Sequence, residues 1–235
     1  MGEAYHNRKF CLDQSISLAL PLIMRFLIKY YTQTLPQGQG PYPASIYDAP
    51  YPRQFSIICC YMLYVWALFK INCLCASIIT VAVGLYEPKD WPPVFGSMKD
   101  AYTVRQFWGT VYHQLTRKAW SAYSLYLSRD VLGFKKGSLG SKYTQLIVAF
   151  SLTYIYHWHA SLLLLGRDSG EFAFFFGQIL AIVLEDQVIY VAKSLGIEGH
   201  APAWRILGCV WTFGCLMYSI RPYANGACIN GMWLQ

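Results

Sequence analysis

His157 is the side chain in this sequence most suited to chemistry. It lies in the apolar run TQLIVAFSLTYIYHWHASLLLL, from Thr144 to Leu165. Thr153 and Ser161 stand four residues before and after it, so on a helix the three form one polar stripe, with Tyr154 beside it. A neutral imidazole in a dry setting can take the proton of an alcohol, and the alkoxide so formed can attack an acyl thioester. The same histidine suits an interhelical hydrogen bond equally well, and the spacing does not choose between the two. His159 falls about 200° further round the helix, among Ile155, Tyr156, Leu162 and Leu163. The two histidines therefore cannot share one cavity.

A second constellation lies upstream in WPPVFGSMKDAYTVRQFWGTVYHQLTR, from Trp91 to Arg117. Gly109, His113 and Arg117 recur every fourth residue, which predicts one helix face. From there His113 would reach a thioester while Arg117 meets phosphate. By position alone, a surface histidine packed on Trp108 or Tyr112 is the plainer reading of His113. Glu185 and Asp186 lie inside the fourth apolar run, and Gln178 shares the face of Glu185 seven residues on. They either line the same cavity or form a structural ion pair, for Glu185 with Arg117 or Lys118; the structural pair is preferred. Trp108, Arg117, Thr153, Ser161 and Glu185 are the side chains expected to touch substrate. Several other chemistries find no support. GFKKGSLGSK lacks Walker spacing and a preceding strand, and no nucleophile elbow or dinucleotide fingerprint occurs. The eight cysteines make no CxxC pair and have no histidine at zinc spacing, so neither a metal site nor a disulfide framework is expected.

Composition dictates what must position these groups. Hydrophobic residues make up 55% of the 235, charged residues 13% and aromatic residues 17%. Tyr and Trp gather at the ends of the apolar runs, where a bilayer interface holds them. The expected class is all-α: a polytopic helical membrane protein, one domain over 1–235, with four to five spans plus surface helices. Residues 14–31 form a weak or interfacial span interrupted by Arg25 and Lys29. Residues 55–86 exceed one span's requirement of ~20 residues, so either one tilted helix or a break near Lys70 is expected. Residues 87–143 are a basic segment, predicted to carry one or two surface helices between Asp100 and Asp130. Spans follow at 144–165, 172–192 and 203–220, and Gly226 onward reads as a tail. The basic segment holds nine cations against four acids. With that segment in the cytosol, alternating topology puts thirteen cations on its side and three on the other, the bias expected of an integral protein. No known nucleic-acid module accompanies the charge.

These strings also resemble a known family. DWPPVFGSMKDAYTVRQFWGTVYHQLTR, RDVLGFKKGSLGSKYTQLIVAFSLTYIYH, the acidic pair in ILAIVLEDQV, and WRILGCVW resemble the wax-synthase-like branch of the membrane-bound O-acyltransferases. Within it they are similar to fungal acetyltransferases of terpenoid and meroterpenoid pathways. The resemblance covers about Leu85 to Trp211. It implies acyl transfer from acyl-CoA, with acetyl-CoA as co-substrate and no bound cofactor, to a hydroxyl of a lipophilic terpenoid-type alcohol. It implies a multi-pass protein of the endoplasmic reticulum, with His157 as the catalytic membrane histidine and His113 as its upstream polar partner. Thr153-Tyr154 stands where the family carries small residues, which would narrow the acceptor tunnel. Family members are longer at the N-terminus, so this chain is expected to be a shortened form. The alternatives are a long-chain acyl-CoA:fatty alcohol (wax ester) transferase, an inactive truncated membrane protein, and a small transporter with Glu185 and Asp186 as a proton relay.

Overall fold

The computed structural model describes residues 2–39, 43–112, 114–197 and 202–231. The described residues contain helices and no strand. The chain forms two compact units, residues 1–94 with 228–235, and residues 95–227. The first holds α1 (Gly2–Ser17), α2 (Ala19–Gln33) and α3 (Tyr51–Ala82), with α1 and α2 both packed on α3. α3 is one continuous helix, and Lys70 does not interrupt it. Pro52 sits in its first turn, where a missing N–H costs nothing, and Gly84, at φ 74°, follows its end. Arg25 is accommodated by lying 5.1 Å over the Tyr64 ring of α3, a cation–π contact that lets a charge sit on an apolar face.

The second unit holds the remaining helices. α4 (Val104–Gln106) runs on as a π-helical turn through Phe107–Val111. α5 (Arg117–Leu125) does the same through Tyr126–Val131. α6 (Leu139–Leu165), α7 (Glu171–Ser194) and α8 (Pro202–Ser219) follow, then α9 (Arg221–Ile229), whose residues up to Ala227 belong to this unit. α6 starts five residues before its apolar run because the Ser138 hydroxyl caps it, accepting from Ser141 N at 3.2 Å. It stops at Gly166, left-handed at φ 68°. α7 returns antiparallel along α6 after Asp168 accepts the N–H groups of Gly170 and Phe172 at 2.8 and 3.2 Å, placing a carboxylate at a helix N-terminus. α9 was not expected; Pro222 and Gly226 look like breakers, yet Pro222 lies in the first turn, where proline is tolerated.

Among the described residues, five helical stretches are long and apolar enough to cross a bilayer: His6–Gln33, Tyr51–Ala82, Leu139–Leu165, Glu171–Ser194 and Pro202–Ile229. The chain is thus an all-α, polytopic integral membrane protein.

Candidate active site around His157

His157 is half-buried on the face of α6 that meets α7 and α9. Its Nδ1 lies 3.2 Å from the Tyr223 hydroxyl. The Phe175 ring of α7 stacks on the imidazole at 5.0 Å between centroids and 26°. His159 is exposed on the other side of α6, beside Ile155, Tyr156 and Leu163. The two histidines face apart, as the helical period requires. Four residues before His157, the Thr153 hydroxyl is bonded back to Ala149 O at 2.8 Å. Four residues after it, the buried Ser161 hydroxyl donates to the Glu171 carboxylate.

Glu171 anchors the α6–α7 turn. It is fully inaccessible, and besides Ser161 it accepts the Ser169 N–H at 2.5 Å. A carboxylate in such a place needs several donors. The same turn receives α9 closely. A Cβ on Gly170 would stand 2.5 Å from the Pro222 carbonyl carbon, and one on Gly226 would stand 2.1 Å from Ser169 O. Those two glycines let α9 seat Tyr223 against His157.

From the other direction comes the α4 segment. It does not lie on the surface: Val104 is inaccessible, and Phe107 and Val111 are nearly so. It runs beside α7 from Glu185 to Gln178, roughly 10 Å along that helix. α7 supplies the polar partners that such a backbone needs among apolar helices. Glu185 accepts the N–H groups of Val104 and Arg105 at 2.7 and 3.3 Å. Gln178, fully buried, accepts from Trp108 Nε1 at 3.0 Å and donates to Ser219 Oγ at 2.6 Å. Trp108 packs between Phe150, Phe174 and Tyr112, and burial pushes the Tyr112 phenol above its usual range. Aromatic rings thus run without a gap from Tyr112 through Trp108, Phe174 and Phe175 to His157.

The expected alignment of Gly109, His113 and Arg117 is not present. The helix ends at Val111, Tyr112 is extended at ψ 164°, and α5 begins anew at Arg117. His113 itself lies outside the described residues. Arg117 is exposed, with its guanidinium 2.9 Å from the Gln114 amide oxygen. Glu185 bonds backbone rather than Arg117 or Lys118. The ion pair instead belongs to Asp186, which holds Arg105 at 2.6 Å and Lys142 at 2.9 Å. Nearby, Arg205 lies 4.7 Å over the Tyr102 ring. Hydrogen bonds from Gln106 and Arg205 hold the Tyr102 phenol below its ordinary range.

Residues 91–177 match the family model described as "Membrane bound O-acyl transferase family". The chain is 34% identical to the acetyltransferase sirH of Leptosphaeria maculans over 98% of its own length and 59% of that protein's. It is 38% identical to the acetyltransferase ple2 of Rhodocybe pseudopiperita over 73% of its length and 47% of the relative's. To the acetyltransferase spyB of Aspergillus fumigatus it is 33% identical, over 63% and 28%. The chain spans about half the length of the first of these relatives. No solved structure matches it.

Proposed function

We propose, from the family to which residues 91–177 belong, the membrane-bound O-acyl transferases, that this chain transfers an acetyl group from acetyl-CoA to a hydroxyl of a lipophilic, terpenoid-type alcohol. The observation that carries the reading is the matched segment itself. It contains α6 with His157, the α4 segment with Trp108, and the start of α7. The relatives sirH of Leptosphaeria maculans and ple2 of Rhodocybe pseudopiperita are both named acetyltransferases, which supports acetyl as the donor group.

In this reading His157 takes the hydroxyl proton. The alkoxide attacks the thioester carbonyl, the tetrahedral intermediate collapses, and the carbon–sulfur bond breaks. The proton passes from the imidazolium to the departing thiolate, so one alcohol and one acyl-CoA become one ester and one CoA thiol. The apolar walls of α6 and α7 exclude water, which would otherwise compete as acceptor. Arg117, exposed on the basic segment, meets the phosphates of CoA, with His113 beside it in sequence as the upstream polar partner. Thr153 and Ser161 border the acceptor side, and Trp108 and Glu185 shape the donor side. The protein resides in the endoplasmic reticulum membrane with residues 87–143 toward the cytosol.

Membranes containing the chain, given labelled acetyl-CoA and a panel of hydroxylated terpenoids, should yield labelled ester. His157→Ala should lower turnover by roughly 10²–10⁴-fold, the span of general-base contributions. Full transfer by that variant would remove His157 from the reaction. Labelling from long-chain acyl-CoA and fatty alcohol alone would make the protein a wax ester transferase instead.

A further inference from the structure

We infer that the outer face of α5, with the turn that follows it, is a docking surface for anionic phospholipid. A stripe through Tyr123, Tyr126 and Val131 lies among acyl chains, and Arg129, Lys135 and Lys136 hold the headgroup phosphates. The inference is independent of the acyl-transfer reading. It gives a role to the run GFKKGSLGSK, which no nucleotide-binding pattern explains.

α5 packs on α6, a helix long and apolar enough to span a bilayer. Small residues let the two approach closely: Ser124 and Ser128 of the α5 segment and Ser141 of α6 are all buried. Two contacts fix how far the segment reaches along α6. At one end, a Cβ on Gly140 would stand 2.9 Å from the Phe134 ring. At the other, the Trp108 ring meets Tyr112 at 5.0 Å and Phe150 at 5.6 Å. Gly140 and Phe150 lie about 15 Å apart along the helix. The chain from Tyr112 to Phe134 therefore runs antiparallel beside the first half of a spanning helix, within one leaflet rather than above it.

The outward face suits that depth. Ala119, Tyr123, Tyr126, Leu127 and Val131 recur at three- and four-residue spacing, so they form one stripe without a charge on it. All five are exposed, Tyr123 and Tyr126 at 61% and Val131 at 55%. A row of uncovered apolar side chains marks a contact surface, and at this depth the neighbour is lipid. At the shallow end the chemistry changes. Gly133 and Gly137, left-handed at φ 67° and 82°, bracket a tight corner. Two backbone bonds hold it: Phe134 N–H to Ser128 O at 3.0 Å, and Ser138 N–H to Lys135 O at 3.1 Å. The corner presents Lys135 and Lys136, both exposed, just before α6 begins. Arg129 stands behind them, its Nε inaccessible and without an acceptor among the described residues. None of the three cations forms an ion pair among the described residues, and Asp130 is the one acid between them. Cations at the start of a span, above an apolar stripe with two tyrosines, complement phosphate headgroups over acyl tails.

The test has two readouts on the whole chain in lipid nanodiscs. In the first, the discs contain phosphatidylcholine with a diazirine in its acyl tail. Illumination should leave crosslinks on the peptide holding Tyr123, Tyr126 and Val131. Their absence there would put α5 outside the leaflet and overturn the inference. In the second, mixed discs of phosphatidylserine and phosphatidylcholine are analysed by native mass spectrometry for the lipids that stay bound. The protein should retain phosphatidylserine in preference, and Arg129→Gln, Lys135→Gln and Lys136→Gln should each lower that preference about fivefold. The wild-type preference should also fade toward about 1 M salt, a readout that needs no variant to fold. Equal retention of the two lipids by the wild type would overturn the inference. So would a preference that neither salt nor the triple variant changes. Release of the bound phosphatidylserine by free CoA or inorganic phosphate would assign the corner to a soluble phosphate and overturn the lipid reading.

Discussion

Gln178→Leu isolates the bond that keeps the α4 segment beside α7. Leucine fills about the same space but offers no amide. Trp108 Nε1 loses its acceptor at 3.0 Å, and Ser219 Oγ loses a donor at 2.6 Å while still donating to Cys215 O. The site is fully inaccessible at Gln178, so water cannot readily replace the amide. A neutral hydrogen bond contributes about 1 kcal/mol, and an orphaned buried donor costs about 1–3 kcal/mol. The Ser219 loss falls in the first class and the Trp108 loss in the second, so the variant should lose about 2–4 kcal/mol. Melting in detergent, followed by a thiol-reactive dye reporting exposure of Cys209 and Cys215 on α8, should show a midpoint lower by roughly 5–10 °C. Trp108→Phe removes the donor instead of the acceptor and keeps most of the ring. In the double variant the two losses should fall short of additive by about 1 kcal/mol, since both delete one bond. Strict additivity, or a Gln178→Leu midpoint equal to wild type, would mean that this hydrogen bond does not hold the segment.

Two further outcomes follow from neighbouring contacts. Asp186→Asn removes the anion shared by Arg105 and Lys142. Both cations are partly exposed, so the loss should be only about 1 kcal/mol. Raising salt should bring the wild-type midpoint toward the variant's, and an identical salt response would refute the pairing. Gly170→Ala should cost more than Gly166→Ala. Both glycines are left-handed, at φ 104° and 68°, but only at Gly170 would a methyl meet backbone, 2.5 Å from Pro222. Strain at such a residue costs about 1–3 kcal/mol before any clash. Equal melting of the two variants would show that α9 yields easily at that point.

The sequence carried the spans clearly because their signal is local. Runs such as Thr144 to Leu165 announce a helix by length and apolarity, and the helical period already separated His157 from His159. Helix ends were less legible, since Ser138 and Gly166 act through cap geometry rather than hydropathy. The burial of the α4 segment was invisible. A polar stretch enters an apolar bundle only if distant residues supply its partners, and here they are Glu185 and Gln178, some seventy to eighty positions on. The seven-residue spacing puts Gln178 and Glu185 on one face, but no local signal names their partners. Tyr223 carries no such signal, because it lies beyond the last expected span, in a stretch whose proline and glycine read as irregular chain. Glu171 gave the faint signal of an acid opening an apolar run; only the fold reveals that Ser161 and Ser169 converge on it.

The match to the family model stops at residue 177. Gln178 is the next residue, Glu185 lies about two turns further along the same face of α7, and Tyr223 lies beyond α8. A fragment trimmed to the shared stretch would keep His157 and Trp108 and lose the groups that hold Trp108 and the α4 backbone and that meet the His157 ring nitrogen. Dissecting this protein therefore has to keep α9 whole, since a cut or tag upstream of Ile229 would fall on the helix that brings Tyr223 to His157.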